Sequence, residues 1–433
     1  MRTMRTISRR GFLKTTALSA GGTMILGTAL GQPYRSGNIF PGRIALWENH
    51  NATDGSSIND AVVAEMVQQS LVSLTDESNP VHAMESLFPG INPSKKVAIK
   101  VNIISPYVPT RWEMVKALTD LLLQTCGGAF SPSNITIYDK IPSNISSTMA
   151  QCGFTAEHFP GMVILDESDP DPGTQVWVGD RYLSLSSHIV NADYLINCPV
   201  LKNHSQSGKY WTLAFKNHIG SVGPMSCLSY EPRILSLAGS EHIRNKTRLV
   251  ALSGLFGIYV NGPEGPAQTW NLFPETQTPN LMILSTDPVS LEHWGIDLIN
   301  RERALHGITV YNDSYCQNAA LPPYELGLYD FSCQDIRTNL SPPENVTIHT
   351  SGSTVDITWD AVPTAQGYRV YRSADPYFAP DPWNLINCIG ETADCFFQDN
   401  PDPLLDRCFY VIRSTRISWE SSDSQRIGYY RYL

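Results

Sequence analysis

None of the nine cysteines forms a Cys-x-x-Cys pair. That absence removes the usual ligand pattern of an iron–sulfur cluster or a zinc ribbon. There is likewise no His-Glu-x-x-His motif, no glycine-rich nucleotide fingerprint and no flavin signature. Charge is sparse, at 17% of residues, and the net formal charge is -10. A chain of this balance carries no electrostatic footprint for nucleic acid or an anionic membrane surface. What is present is ordinary for a globular protein: 433 residues, 42% hydrophobic, enough for two or three domains.

Basic residues concentrate at the start. Arg2, Arg5, Arg9, Arg10 and Lys14 precede the first acidic residue, and "SRRGFLK" (8–14) has the twin-arginine export pattern. A weakly apolar run follows, too short and too rich in Gly and Thr for a spanning helix, and ends in "TALG" before Gln32. Residues 1–31 therefore read as a twin-arginine signal peptide. This reading implies the twin-arginine machinery as a partner and a periplasmic, envelope-associated or secreted destination. Outside the cytosol a disulfide such as Cys395 with Cys408 is permitted.

From about residue 57 to 330, helical and strand patterns alternate. In "NDAVVAEMVQQSLVSLT", Val62, Val63, Met66, Val67, Leu71 and Leu74 share a helical face. "KKVAIKVNI", "NITIYD", "ADYLINCPV" (192–200) and "NLMILS" read as strands, and "RWEMVKALTDLLLQTCGG" as a helix stopped near Gly127. Continuous apolar strands between helices predict an α/β fold with a largely parallel sheet covered by helices, over residues 32–338. Residues 339–433 change to short alternating strands. There the proline-led first strand at Pro343, the tryptophan Trp359 and the Tyr368–Tyr371 strand resemble a fibronectin type III sandwich, which implies a spacer or docking module rather than a catalytic one.

Ligands of parallel α/β sheets bind beyond the carboxyl ends of the strands. Lys100 and Asn102 follow one such strand, and Lys202 and His204 another. Thr212, Lys216 and Asn217 come next, then the turn around Gly262 and Glu264, then Asp287 and Glu292. Each has a plain structural alternative: a solvated lysine cap, a hydrogen-bonded histidine, or, for Asp287 before Pro288, a helix N-cap. Together, lysines with asparagine donors suit carboxylate or phosphate oxygens, and a histidine among them suits proton transfer. The mixed His and carboxylate set also admits a divalent metal.

Five segments in order, "VAIKVN", "NADYLINCPVLKNH", "TLAFKNHIG", "NGPEGPA" and "STDPVSLEHW", resemble the family filed as domain of unknown function 362. The matching positions are Lys100 and Asn102; Ala192, Asp193, Ile196, Asn197, Pro199, Lys202 and His204; Thr212, Lys216, Asn217 and Gly220; Gly262 and Pro263; and Asp287, Pro288 and Val289. Two departures stand out: Glu292 replaces the family's aspartate, and the ferredoxin-like cysteine cluster of many relatives is missing. The resemblance implies an architecture and leaves the chemistry open.

The expectation is an exported protein with an anion pocket at strand ends. It would act as a non-redox, hydrolase-like or metal-assisted enzyme on a small anionic substrate. Candidate catalytic residues are His204, Asp287 and Glu292. Candidate ligand-binding residues are Lys100, Asn102, Lys202, Thr212, Lys216, Asn217, Gly262 and Glu264. The alternative is an envelope ligand- or metal-binding protein without turnover, docked on a surface partner through its C-terminal module.

Overall fold

The computed structural model describes residues 38–140, 148–167, 169–204, 210–223, 231–330, 332–337, 340–363, 365–378, 380, 385, 387–416 and 419–430. The signal-peptide reading of residues 1–31 lies outside them.

A large mixed sheet organises the first three quarters of the chain. Its strands are β1 (Arg43–Glu48), β2 (Val97–Lys100), β3 (Ile135–Tyr138), β4 (Val163–Leu165), β5 (Tyr194–Asn197), β6 (Val200–His204), β7 (Tyr210–Trp211), β8 (Thr247–Ile258), β9 (Leu281–Ser285) and β10 (Ser332–Arg337). The order is β10-β1-β9-β8-β5-β2-β3-β4, with β6 on β8 and β7 on β6. From β8 through β5, β2 and β3 to β4 every pairing is parallel, whereas β9 runs antiparallel to both β1 and β8.

Four helices carry much of the cover: α1 (Asp60–Thr75), α2 (Pro80–Leu87), α3 (Trp112–Gly128) and α4 (Pro288–Leu305). On α1 the predicted face is buried at Val63, Met66, Val67, Leu71 and Leu74, with Val62 at its margin. Asn59 caps its start through Val62 N at 3.3 Å. Helix α3 loses helical geometry at Thr125–Gly127, where Cys126 and Gly127 both have positive φ, so the expected stop at Gly127 begins two residues early.

Side chains alternate across the sheet as the pleat demands. On β9, Met282 and Leu284 pack with α1 and with Ile99, Ile137 and Ile196. Leu281 and Ile283 face the other way, into a core with Trp211, Phe215 and the apolar face of α4. Both faces of the sheet are thus covered.

One reading of the sequence is corrected here. The run 192–200 is not a single strand: it divides at Cys198-Pro199 into β5, which pairs with β2, and β6, which pairs with β8. Pro199 has no N–H to continue a ladder, and its carbonyl instead accepts from Ser253 N at 3.0 Å. Lys202 and His204 therefore stand on a strand rather than in the loop beyond one.

The C-terminal part is all-β and antiparallel. One sheet has the order β11-β12-β15, from Thr347–Ser351, Thr354–Thr358 and Phe396–Asp399. The other is built on β13 (Gly367–Ser373), β14 (Cys388–Thr392) and β16 (Arg407–Arg416), with Trp419–Glu420 and Ile427–Tyr430 both pairing with β16. Trp359 and Tyr368 meet edge-on at 5.2 Å between the layers, and Tyr368 OH accepts from Val362 N at 2.9 Å. The permitted disulfide is not formed: Cys395 and Cys408 are free thiols. No helix among the described residues is long and apolar enough to cross a membrane.

Candidate functional site

The strand order creates a switch point. From β2 the chain proceeds outward through α3 to β3 and β4, then returns to place β5 on the other side of β2. Crevices form at the carboxyl ends of strands where such a reversal occurs. At this point Lys100, the last residue of β2, stands in register between Tyr138 of β3 and Asn197 of β5.

A polar network grows from that register. The Lys100 ammonium donates to Asp139 Oδ1 at 2.6 Å, to the Val101 carbonyl at 2.7 Å and to Asn217 Oδ1 at 3.4 Å. Asp139 also accepts from Lys140 N at 2.8 Å and Ile103 N at 2.9 Å. Asn217 Oδ1 accepts from Asn102 Nδ2 at 3.1 Å, and Asn217 Nδ2 donates to Asn197 Oδ1 at 2.7 Å. Asn197 Nδ2 in turn reaches the Ala214 carbonyl at 2.8 Å. Lys202 joins through Asn102 Oδ1 at 2.9 Å. All six side chains are buried, as a fully connected network requires.

Burial decides the charges. It pulls Lys202 down to about 7, opposed by Asp139 and Glu264 and reinforced by Arg111. Lys100 is lowered by the same desolvation, with the adjacent Asp139 carboxylate pulling the other way. His204, two residues from Lys202 and on the same strand face, is depressed to about 4 by burial and by Lys216 and Lys202. Burial likewise holds Glu292 up at about 8, against Phe215 N, Ala214 N and Lys216.

The candidates thus divide. Lys100, Asn102, Lys202 and Asn217 share one network, and Lys216 and His204 lie within electrostatic reach of it. Thr212 donates its N–H to the Lys202 carbonyl at 2.8 Å, while its hydroxyl is buried without a partner among the described residues. Asn203, on the opposite strand face, accepts from Gly262 N at 3.0 Å. A Cβ on Gly262 would stand 2.2 Å from the Asn203 carbonyl oxygen, so only glycine allows this approach. Glu264 is exposed on the same turn, close enough to act on the charge of Lys202.

Asp287 is placed elsewhere in role. Its Oδ1 caps α4 through Val289 N and Ser290 N, and its Oδ2 accepts from Asn38, Gly42 and Leu328. Glu292 is buried on α4 and accepts from Phe215 N at 3.1 Å, which anchors the segment carrying Lys216. The arginines further along α4 are engaged elsewhere: Arg301 bonds Asp297, and Arg303 bonds the Thr309 and Tyr259 carbonyls. No group of three or more His, Cys, Asp or Glu side chains gathers among the described residues as a metal centre would need.

Two participants escaped the sequence reading. Asp139 has a legible signal, an acid directly after the apolar strand "ITIY". Arg111, half-buried ahead of α3, stacks over Phe256 at 4.5 Å and acts on Lys202; nothing in its local sequence distinguishes it. Asn197, a member of this network, and His218 also line a cavity with Ala214 and Arg244.

Fold and site define a largely parallel α/β protein with a buried, lysine-rich polar network at its switch point, followed by a β-sandwich. Residues 97–297 match the model of the family described as Domain of unknown function (DUF362). No curated protein matches the chain. Among solved structures, an Fn3-like protein from Clostridium thermocellum is 21% identical, with 22% of this chain and 98% of that chain covered and a TM-score of 0.19. A fibronectin type III domain derived from human KIAA0970 protein is 15% identical, covering 21% of this chain and 73% of that one, TM-score 0.18. The chicken CNTN1 FN1-FN3 domains are 14% identical over 22% and 32%, also with a TM-score of 0.18. At such scores the likeness adds nothing to the strand pairing itself.

Proposed function

We propose that the switch-point network is the floor of an anion-binding pocket in an exported protein, and that the protein is a non-redox enzyme acting on a small anionic molecule. One observation carries this reading. Of the buried lysines here, Lys100 has a carboxylate partner, while Lys202 is hydrogen-bonded to the neutral amide oxygen of Asn102. A buried cation whose partner among the described residues is an amide favours an incoming anion. Lys216 and Arg111 add positive charge within reach, and the buried hydroxyl of Thr212, whose N–H holds the Lys202 carbonyl, supplies a further polar atom. His204, neutral at pH 7, is the proton-transfer group. Export through the twin-arginine route rests on Arg9, Arg10 and the run after them, and fits a protein that folds before it crosses the membrane.

Small anions should raise the melting temperature of the purified protein, in the order set by their fit to the pocket. Thermal shifts across phosphate, sulfate and a panel of carboxylates test this, with Lys202→Gln expected to abolish the rise. Stabilisation that persists in Lys202→Gln would place the anion elsewhere. Turnover on a stabilising compound, lost in a folded His204→Ala protein, separates enzyme from binding protein.

A further inference from the structure

A cavity lies beside the switch-point network. Asn197, Thr247 and Thr286 line it from the sheet and its margin, and Phe215, His218 and Arg244 from the segments packed over them. With its open side included it encloses about 400 Å³ of empty space. Asn197 marks the border with the network. Its Nδ2 donates to the Ala214 carbonyl at 2.8 Å and its Oδ1 accepts from Asn217 at 2.7 Å, so both ends of the amide are engaged. Neither Lys100 nor Lys202 is among the described residues of the lining.

Two side chains give this space its chemistry. His218 is 3% exposed, and among the described residues its ring has one hydrogen-bond partner: Nδ1 meets Ser221 Oγ at 3.4 Å. Ser221 Oγ also meets the Tyr138 hydroxyl at 3.0 Å, and all three side chains are buried. A buried phenol needs an acceptor for its hydrogen, and Ser221 is the one within reach among the described residues. The serine then gives its own hydrogen to Nδ1, which leaves the ring proton of His218 on Nε2. The reverse order would strand the Tyr138 hydrogen. Burial, reinforced by Lys100, holds His218 down at about 3, so the ring is neutral and offers one N–H. Arg244 supplies a second donor. Its Nη1 and Nη2 hold the Tyr324 and Glu325 carbonyls at 3.2 and 2.9 Å, while Nε is buried without a partner among the described residues. No Asp or Glu stands among the described lining residues, and Phe215, Ala238, Ile243 and Leu326 make much of the wall apolar.

Donors and one positive charge in an otherwise apolar space select a ligand with a single carboxylate and a short hydrocarbon body. An anion without an apolar part would leave the hydrocarbon wall unfilled and its own further oxygens dry. We infer that this cavity binds a short aliphatic monocarboxylate, whose oxygens accept from His218 and Arg244 and whose chain packs on Phe215, Ala238, Ile243 and Leu326. The site is separate from the anion pocket at Lys202 and borders it at Asn197.

The test uses the purified full-length protein with acetate, propionate and butyrate, read by calorimetric titration and thermal shift. Affinity should rise along that series as more hydrocarbon leaves water. Butyrate should bind the wild type and Lys202→Gln alike, and phosphate should not displace it. Ala238→Leu, which puts a larger side chain into the space, should abolish butyrate binding, as should Arg244→Met. In the methyl-labelled wild type, butyrate should show intermolecular NOEs to Ile243 and Leu326, a readout that needs no variant to fold. No butyrate binding, NOEs confined to other methyl groups, or unchanged binding in a folded Ala238→Leu protein overturns the inference. Butyrate binding that is lost in Lys202→Gln and displaced by phosphate also overturns it, while leaving the anion pocket in place.

Discussion

Asp139 and Lys100 show what one residue does to its neighbours in a dry site. Removing either partner of a buried ion pair leaves the other uncompensated, typically at a cost of about 3–5 kcal/mol. Asp139→Asn should therefore destabilise strongly in chemical denaturation. Adding Lys100→Met should cost less than the sum of the two single replacements, and strictly additive values would mean the pair is not coupled. Glu292 gives a pH signature. Its carboxyl is held up at about 8, so the folded state keeps its proton longer than the unfolded chain does. The stability this contributes is complete below the usual carboxylate range near 4.5 and is lost as pH rises through about 8. Glu292→Gln should thus gain on the wild type progressively across that window, and parallel stability curves would contradict the shift. Neither residue's environment is written in its own sequence neighbourhood. Asp139 could be suspected from its place after an apolar strand, whereas the burial of Glu292 depends on the Phe215 segment folding over α4.

Elements were legible where pattern and caps agree. The apolar face of α1, the Asn59 and Asp287 caps and strands β2, β3 and β9 all follow from local sequence. β8 was not anticipated, since Gly254 and Gly257 interrupt its apolar run. They are there for approach: a Cβ on Gly257 would meet the Trp270 ring at 2.6 Å, and one on Gly254 would meet Leu281 Cβ at 3.0 Å. β6 was missed because Pro199 starts a new strand rather than ending one. The turn Lys216–Ser221 carries a comparable constraint. A Cβ on Gly220 would lie 2.4 Å from Asp139 Oδ1 and 3.1 Å from the Lys140 backbone N. Gly220→Ala should lower stability by roughly 1–3 kcal/mol through overpacking and weaken anion stabilisation. Gly223→Ala, whose new methyl would meet, among the described residues, the Ser184 carbonyl at 3.8 Å, should do neither. Equal melting points for the two variants would argue against the close packing.

At the scale of the whole molecule, the sandwich is joined to the α/β part by a shared apolar core and a buried ion pair. Val355, Ile357, Trp359 and Ile412 belong to the same cluster as Leu46, Leu281 and Ile283. Arg416, at the end of β16, bonds Glu48 of β1 and reaches Glu275 at 3.0 Å. Arg416→Ala should destabilise by about 3–5 kcal/mol by stranding Glu48, and limited proteolysis should then cleave between the two parts. An unchanged digest and melting point would reduce the pair to decoration. The sequence by itself determined the two-part architecture, the parallel character of the sheet and the basic residues gathered near strand ends. These rest on periodicity and composition, which are local. Only the tertiary structure decided which lysine has a carboxylate. Lys100 and Lys202 stand on two strands and Asp139 directly after a third, and their pairing depends on strand order and on the depth at which each side chain leaves water. Charge in a folded protein is set by such neighbours, and the chain brings them together only when the sheet closes around its switch point.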